Sequence, residues 1–359
     1  MKKLFLGLAL LLVSVTVTAQ GINFQQLTLE QAIEKSKAEN KYIFLDIYTD
    51  WCAPCKMMDQ DVFTLKEVGD YFNAKFISVK FNAEKGDEGP VVAKKFGVKA
   101  YPTFIILDNE GNLVHMFAGG TLGVGFINKV EESFNSDIAF GNLQKLYNSG
   151  ARDLKTVAKY LKSLQGTFTT DVSPLIEEFY QSLSPEELIC EDALFIFDDY
   201  AQLGSTKSNF FAENFEKFRS AVGREKADLM MKKKFEAYYA GILGRQRVAN
   251  ASDIDEKNSL LAGYNLQKSD ILSLYQSSLK VYLTKVGASE LFAKIVDQAK
   301  NFENNEIDRF MYFTIAPLVD VWEDGQADQL AQMIHDDRTR DAVVKGLERM
   351  KRNKSESQK

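Results

Sequence analysis

The stretch Trp51-Cys52-Ala53-Pro54-Cys55-Lys56 holds two thiols three positions apart. It follows an apolar run dense in β-formers, Tyr42 to Tyr48, and opens what reads as a helix. A helix N-terminus favours negative charge, so the first sulfur of such a pair ionises readily. The thiolate is the nucleophile of thiol–disulfide exchange, so the placement predicts redox chemistry. A zinc half-site and an inert disulfide are the other readings of such a pair. Zinc needs further ligands at suitable spacing. Only Cys190, His115, His335 and carboxylates are available, with no second Cys-x-x-Cys. No metal and no cofactor is therefore expected. Cys190 reads as a buried small hydrophobe in an apolar helix at Leu188-Ile189-Cys190. His115, on a hairpin strand, and His335, in a late helix, read as structural or solvated.

The elements that must carry the pair are legible around it. Thr28-Leu29-Glu30-Gln31 has the form of a capping box, and a helix to about Asn40 should follow. After the strand at 42–48 and the cysteines, one helix is expected to run to about Phe72. Phe76 to Phe81 reads as a second strand, residues 90–96 as a helix ending at Gly97, and Thr103 to Leu107 as a third strand. The turn Asn109-Glu110-Gly111-Asn112 joins it to a fourth, Leu113 to Phe117, as an antiparallel hairpin. Gly119-Gly120 breaks the chain before an amphipathic helix through about Phe134. Strands alternating with helices, then a hairpin and a last helix, imply a small α/β domain.

From about Phe140 strand signals nearly vanish and helical periodicity takes over, interrupted at Gly150, Gly166, Gly204, Gly223, Gly244, Gly287 and Gly325. Paired helices stacked as a solenoid would fit the spacing, without a clean repeat to mark them. The expected organisation is a signal peptide over 1–19, an α/β domain over 20–138, an all-helical domain over 139–350 and a disordered tail over 351–359. The signal reading rests on Lys2 and Lys3, the apolar run Leu4 to Val13, and Val17-Thr18-Ala19 before Gln20. That run is shorter than the ~20 apolar residues of a membrane span, so no stable membrane insertion is expected after cleavage. Export to a bacterial periplasm is the resulting expectation. Three cysteines in 359 residues make no disulfide scaffold. A net charge of −6 gives no reason to expect a nucleic-acid partner, which calls for a basic patch.

Residues from about Thr28 to Ser136 resemble the thioredoxin family. Trp51-Cys52-Ala53-Pro54-Cys55-Lys56 matches its Trp-Cys-x-x-Cys-Lys pattern, and Tyr101-Pro102-Thr103 matches the segment whose proline is cis and faces the cysteines. Asp46 occupies the place of the family's buried acid, and Lys80 that of the lysine beside it. The resemblance implies a central mixed sheet flanked by helices. It implies a redox disulfide Cys52-Cys55, with Cys52 as the exposed attacking sulfur and Cys55 resolving the mixed disulfide. Asp46 would act through water as proton acceptor for Cys55, with Lys80 moderating its pKa. Trp51, Tyr101 and Pro102 would meet the substrate, the two aromatics otherwise being core or rim residues.

The chain departs from the family in places. Ala53 replaces the usual glycine, no histidine lies between the cysteines, and Gln60 stands at a helix-kinking proline, which implies a straighter helix. The missing imidazole leans the pair toward reducing or isomerising substrates, and Tyr101 before Pro102 resembles isomerases. The implied partners are protein disulfide substrates and an unidentified electron donor or acceptor protein. In an alternative reading the helical half is an envelope protein-binding module, and the redox pair is regulatory or vestigial.

Overall fold

In the computed structural model, residues 21–198, 202–266 and 270–357 are described. The signal segment expected over 1–19 lies outside them. The chain divides into two compact units, one ending at Glu187 and the other beginning at Leu188. The change of pattern near residue 138 therefore falls inside the first unit.

The first unit is built on a four-stranded sheet of order β2-β1-β3-β4, with β1 Tyr42–Tyr48, β2 Phe76–Asn82, β3 Thr103–Leu107 and β4 Leu113–Ala118. β1 pairs parallel with β2 and antiparallel with β3, and β3 pairs antiparallel with β4, so the sheet is mixed as expected. β1 lies centrally and is buried on both faces, which explains why it reads as a continuous apolar run with one acid inside it. One face packs Phe44, Phe72, Phe104 and Phe126, all fully buried, with the Phe72 and Phe126 rings stacked at 5.5 Å. Burying each ring contributes about 1.5–3 kcal/mol.

Helices cover the sheet. The helix α1 (Leu29–Glu39) opens on the capping box seen in the sequence: Gln31 N–H donates to Thr28 Oγ1 at 3.1 Å, and Thr28 N–H to Gln31 Oε1 at 2.9 Å. The single helix expected after the cysteines is instead α2 (Ala53–Met57), a π turn over Met58–Val62, and a separate α3 (Lys66–Lys75). Phe63 N–H donates to the Met58 carbonyl five residues back, and the Thr64 hydroxyl takes the Gln60 carbonyl at 2.7 Å, so the regular ladder stops there. The straighter helix expected from Gln60 is thus replaced by a widened one. There follow α4 (Gly89–Lys95), α5 (Gly125–Glu131), α6 (Phe140–Asn148), α7 (Leu154–Thr167) and α8 (Ser173–Ser182). Both α6 and α7 pack against the edge strand β4.

Every regular element among the described residues of the second unit is a helix, from the end of the short α9 (Pro185–Leu188). It contains α10 (Phe195–Asp198), α11 (Thr206–Glu213), α12 (Phe215–Val222), α13 (Arg224–Leu243), α14 (Ala251–Gly263), α15 (Asp270–Thr284), α16 (Ala288–Gln298), α17 (Asn304–Thr314), α18 (Gln326–Gln332) and α19 (Asp337–Ser357). α13 packs against α12, α15 and α17. Phe235 and Tyr239 of α13, Tyr275 of α15 and Phe310 of α17 are among its fully buried side chains. A buried pair ties α12 to α13, with Arg219 Nε 2.6 Å from Asp228 Oδ1. In place of the disordered tail expected from 351, α19 continues through Ser357. Its buried Val343 and Leu347 anchor the helix, and Lys351 pairs with Asp328 at 3.0 Å. Cys190 lies in a bend after α9 rather than in a helix, and is partly exposed rather than buried. The apolar neighbours that suggested burial divide there, with Leu188 alone inside.

Candidate redox site

Cys52 and Cys55 are joined as a disulfide. Cys52 is the N-cap of α2, and its Sγ accepts the Cys55 N–H at 3.1 Å. Pro54 sits in the first turn, where a missing N–H leaves no bond unmade. A sulfur facing a free helical N–H is one whose ionised form is favoured. Cys52 was expected to be exposed, yet it is 2% exposed, and Cys55 is 3%. In the oxidised pair the first sulfur turns inward to its partner and to that N–H.

Asp46 and Lys80 come together because β1 and β2 run parallel in register, with Asp46 opposite Lys80. Lys80 Nζ lies 3.1 Å from Asp46 Oδ2. Asp46 is 2% exposed, and its Oδ1 has no hydrogen-bond partner among the described residues. Burial pushes its pKa up to about 6, against the pull of the Lys80 charge. Burial by itself would lower Lys80, but attraction to Asp46 and a hydrogen bond to Asp59 outweigh it and hold the ammonium above its ordinary range.

The rim gathers the expected aromatics. Trp51 is 66% exposed and meets Tyr101 edge-to-face, ring centres 5.8 Å apart. The Tyr101–Pro102 bond is cis. Thr103, the next residue, pairs with Ile47 of β1, which places Pro102 at the sheet end from which the cysteine loop leaves. The Gly119 N–H donates to the Pro102 carbonyl at 2.8 Å. Beside it, a Cβ on Gly120 would stand 2.9 Å from Met57 Cε and 3.2 Å from Met58 Sδ, so this loop packs on the methionines that follow the cysteines.

Two residues of the site escaped the sequence reading. Asp59, on the π turn, accepts a hydrogen bond from Lys80. Its signal was its place four residues after Cys55, on the same helical face. Glu84 accepts the Trp51 Nε1–H at 3.0 Å and 3.1 Å through its two oxygens. No local pattern announces a contact across that many residues. His115 and His335 lie away from this cluster. His115, on β4 and 3% exposed, accepts the Phe140 N–H, while His335 sits in the link before α19 rather than in a helix and bonds Asp308.

A mixed sheet whose strand β1 carries a buried acid, followed by a Cys-x-x-Cys pair at a helix start and a cis-proline loop whose Tyr101 meets Trp51, defines a thioredoxin-like disulfide oxidoreductase fold. The family model for a thioredoxin-like domain matches residues 29–128. The chain is 33% identical over 82 residues to Thioredoxin-1 of Drosophila melanogaster, covering 23% of this chain and 70% of that protein. It is 32% identical over 106 residues to chloroplastic Thioredoxin Y of Oryza sativa subsp. japonica, covering 30% of this chain and 57% of that one. The chain thus spans little more than half the length of the rice relative. It also matches the solution structure of a putative disulphide-isomerase from Bacteroides thetaiotaomicron at 37% identity, covering 33% of this chain and 98% of that one, with a TM-score of 0.31. The chain belongs to the thioredoxin family. Among the described residues, no helix is long and apolar enough to cross a membrane.

Proposed function

We propose that this protein is an exported thiol–disulfide oxidoreductase that reduces or isomerises protein disulfides through Cys52 and Cys55. The observation that carries the reading is the Cys52 sulfur at the N-cap of α2, bonded to Cys55 and facing the Cys55 N–H. In the reduced pair the Cys52 thiolate attacks a substrate disulfide and Cys55 resolves the mixed disulfide. Trp51, Tyr101 and the Pro102 backbone receive the substrate chain. Asp46 takes the Cys55 proton through water, and Lys80 sets how readily it does so. A dithiol protein of the same compartment returns two electrons to the pair. The basic, apolar and small-residue succession over 1–19 supports export, and the bacterial periplasm is the compartment it fits. The division into a signal segment, a redox domain and a helical domain belongs to the same reading.

A Cys55→Ser variant should trap partners as mixed disulfides through Cys52, whereas Cys52→Ser should trap none. Absence of trapped partners in the native compartment rejects the role. Equilibration with glutathione then gives the potential, and with it the direction of electron flow.

One feature favours the helical half as a binding module. A cleft of about 640 Å³ in the second unit is lined by Lys233, Arg247, Arg309 and Tyr238, among others. Asp198 lines the same cleft, and Lys233 and Arg309 lie near enough to the buried Glu236 carboxylate to stabilise its charge, so the three cations leave a net positive lining. An acidic surface of an envelope partner fits them. Reversing Lys233 and Arg309 to Glu while insulin reduction stays intact separates the two readings: loss of the cellular role makes binding the main task, and its retention makes catalysis so.

A further inference from the structure

Asp59 is the carboxylate that meets the Asp46–Lys80 pair and to which the redox steps assign no part. It stands on the π turn four residues past Cys55, and its Oδ1 accepts a hydrogen bond from Lys80 Nζ. The same ammonium stands 3.1 Å from Asp46 Oδ2. One cation therefore serves two carboxylates in unequal settings: the Asp46 side chain is 2% exposed and that of Asp59 42%. The rings of Phe24, Tyr48 and Phe63 surround Nζ at 5.1, 4.9 and 5.3 Å and hold it between the two acids. Asp46 Oδ1 is left buried without a partner. The charged groups that act on Asp46 are Lys80 from β2 and Asp59 from the π turn, while β3 sets Phe104 opposite it.

We propose that Asp59 is a positioning residue that shares the Lys80 ammonium with Asp46, so that the buried carboxylate stays basic enough to take the proton of Cys55. The inference rests on the redox reading above. In the resolving step the Cys55 S–H proton passes through water to the Asp46 carboxylate. The Cys55 thiolate attacks the Cys52 sulfur of the mixed disulfide, the Cys52–Cys55 bond forms, and the bond from Cys52 to the substrate sulfur breaks. The substrate sulfur leaves as a thiolate with the electron pair. The cysteine pair is oxidised by two electrons and the substrate disulfide is reduced by two. A Lys80 given wholly to Asp46 stabilises the charged carboxylate and weakens it as a base.

The test follows the Asp46 side-chain carboxyl by NMR titration of the reduced full-length protein, beside the pH profile of mixed-disulfide resolution. In Asp59→Asn the Asp46 midpoint should fall by about half a pH unit or more, and resolution at neutral pH should slow severalfold. Asp59→Glu should restore both. In a Lys80→Met background the Asp59→Asn shift should shrink to less than about half, because the effect travels through the shared lysine; Lys80→Gln serves if Lys80→Met does not fold. An unmoved Asp46 midpoint in Asp59→Asn, or an undiminished shift without Lys80, overturns the proposal. A wild-type protein that neither reduces a disulfide nor equilibrates with glutathione overturns the redox reading instead, and the titration still decides whether Asp59 acts on Asp46 through Lys80.

Discussion

The backbone N–H of Phe140 donates to Nδ1 of His115 at 3.0 Å, tying the first residue of α6 to the edge strand β4. His115 is neutral when it accepts this bond, so its proton resides on Nε2. Burial, with the Lys129 charge adding to it, lowers its pKa to about 4. The folded state thus binds the proton less readily than the unfolded chain, whose histidine titrates near 6.5. The stabilisation is complete above about 6.5 and is lost as the pH falls from there toward 4, to a limit of about 3 kcal/mol. His115→Gln should flatten this part of the curve of urea midpoint against pH. An unchanged slope between those values removes His115 from the account.

Asp46 has the opposite sign of effect. Its pKa is raised by burial to about 6 from 3.8, so the folded state holds this proton more tightly than the unfolded chain. Stability from this group is present below about 4 and declines as the pH rises through 6. Asp46→Asn should therefore stabilise the protein at pH 7 by up to about 3 kcal/mol while slowing mixed-disulfide resolution. Thermal unfolding and stopped-flow resolution read the two effects separately. A destabilised variant at pH 7 contradicts the first.

Gly141 lies in α6 where that helix crosses β4. A Cβ there would stand 2.0 Å from the Leu113 carbonyl oxygen, a backbone atom with no room to yield. Gly141→Ala should destabilise the protein by about 1–3 kcal/mol, although alanine is the better helix former. Hydrogen exchange should show protection lost first in α6 and β4. A neutral or stabilising result would mean that the helix sits farther from the strand.

Trp51 presents most of its ring to solvent and holds Glu84 through Nε1. Trp51→Phe removes that donor and keeps an aromatic face toward Tyr101. Stability should change by less than about 1 kcal/mol, because the site is exposed. The KM for a protein disulfide should rise, while the reduction potential measured against glutathione stays within about 10 mV. A large drop in melting temperature would make Trp51 a structural residue instead.

Much of the first unit was legible because its signals are local. The Thr28–Gln31 box set the start of α1, the period of β-formers set β1 and β3 to the residue, and Asn109 to Asn112 marked the hairpin. The helix after the cysteines was misread because its break at Thr64 comes from a side chain taking the Gln60 carbonyl, and because a π turn leaves no period of its own. The helix closing the chain was misread because polar composition marked residues 351–359 as a tail, while packing of Val343 and Leu347 carries the helix onward. The extent of the first unit was hidden too. That α6 and α7 belong against β4 depends on His115 and Gly141, whose roles are contacts rather than patterns.

By itself, the sequence determined the dithiol at a helix start, the strand that carries Asp46, the lysine on the next strand, and the proline of the opposing loop. These follow from short spacings, since a cap, a strand and a Cys-x-x-Cys pair are fixed by neighbouring residues. Only the tertiary structure decided what those groups face. Parallel register sets Lys80 against Asp46, and the π turn adds Asp59 to the same ammonium. Burial then lifts Asp46 to about 6. Proton affinity depends on charge and solvent within a few ångströms in space, and the chain order does not contain that distance.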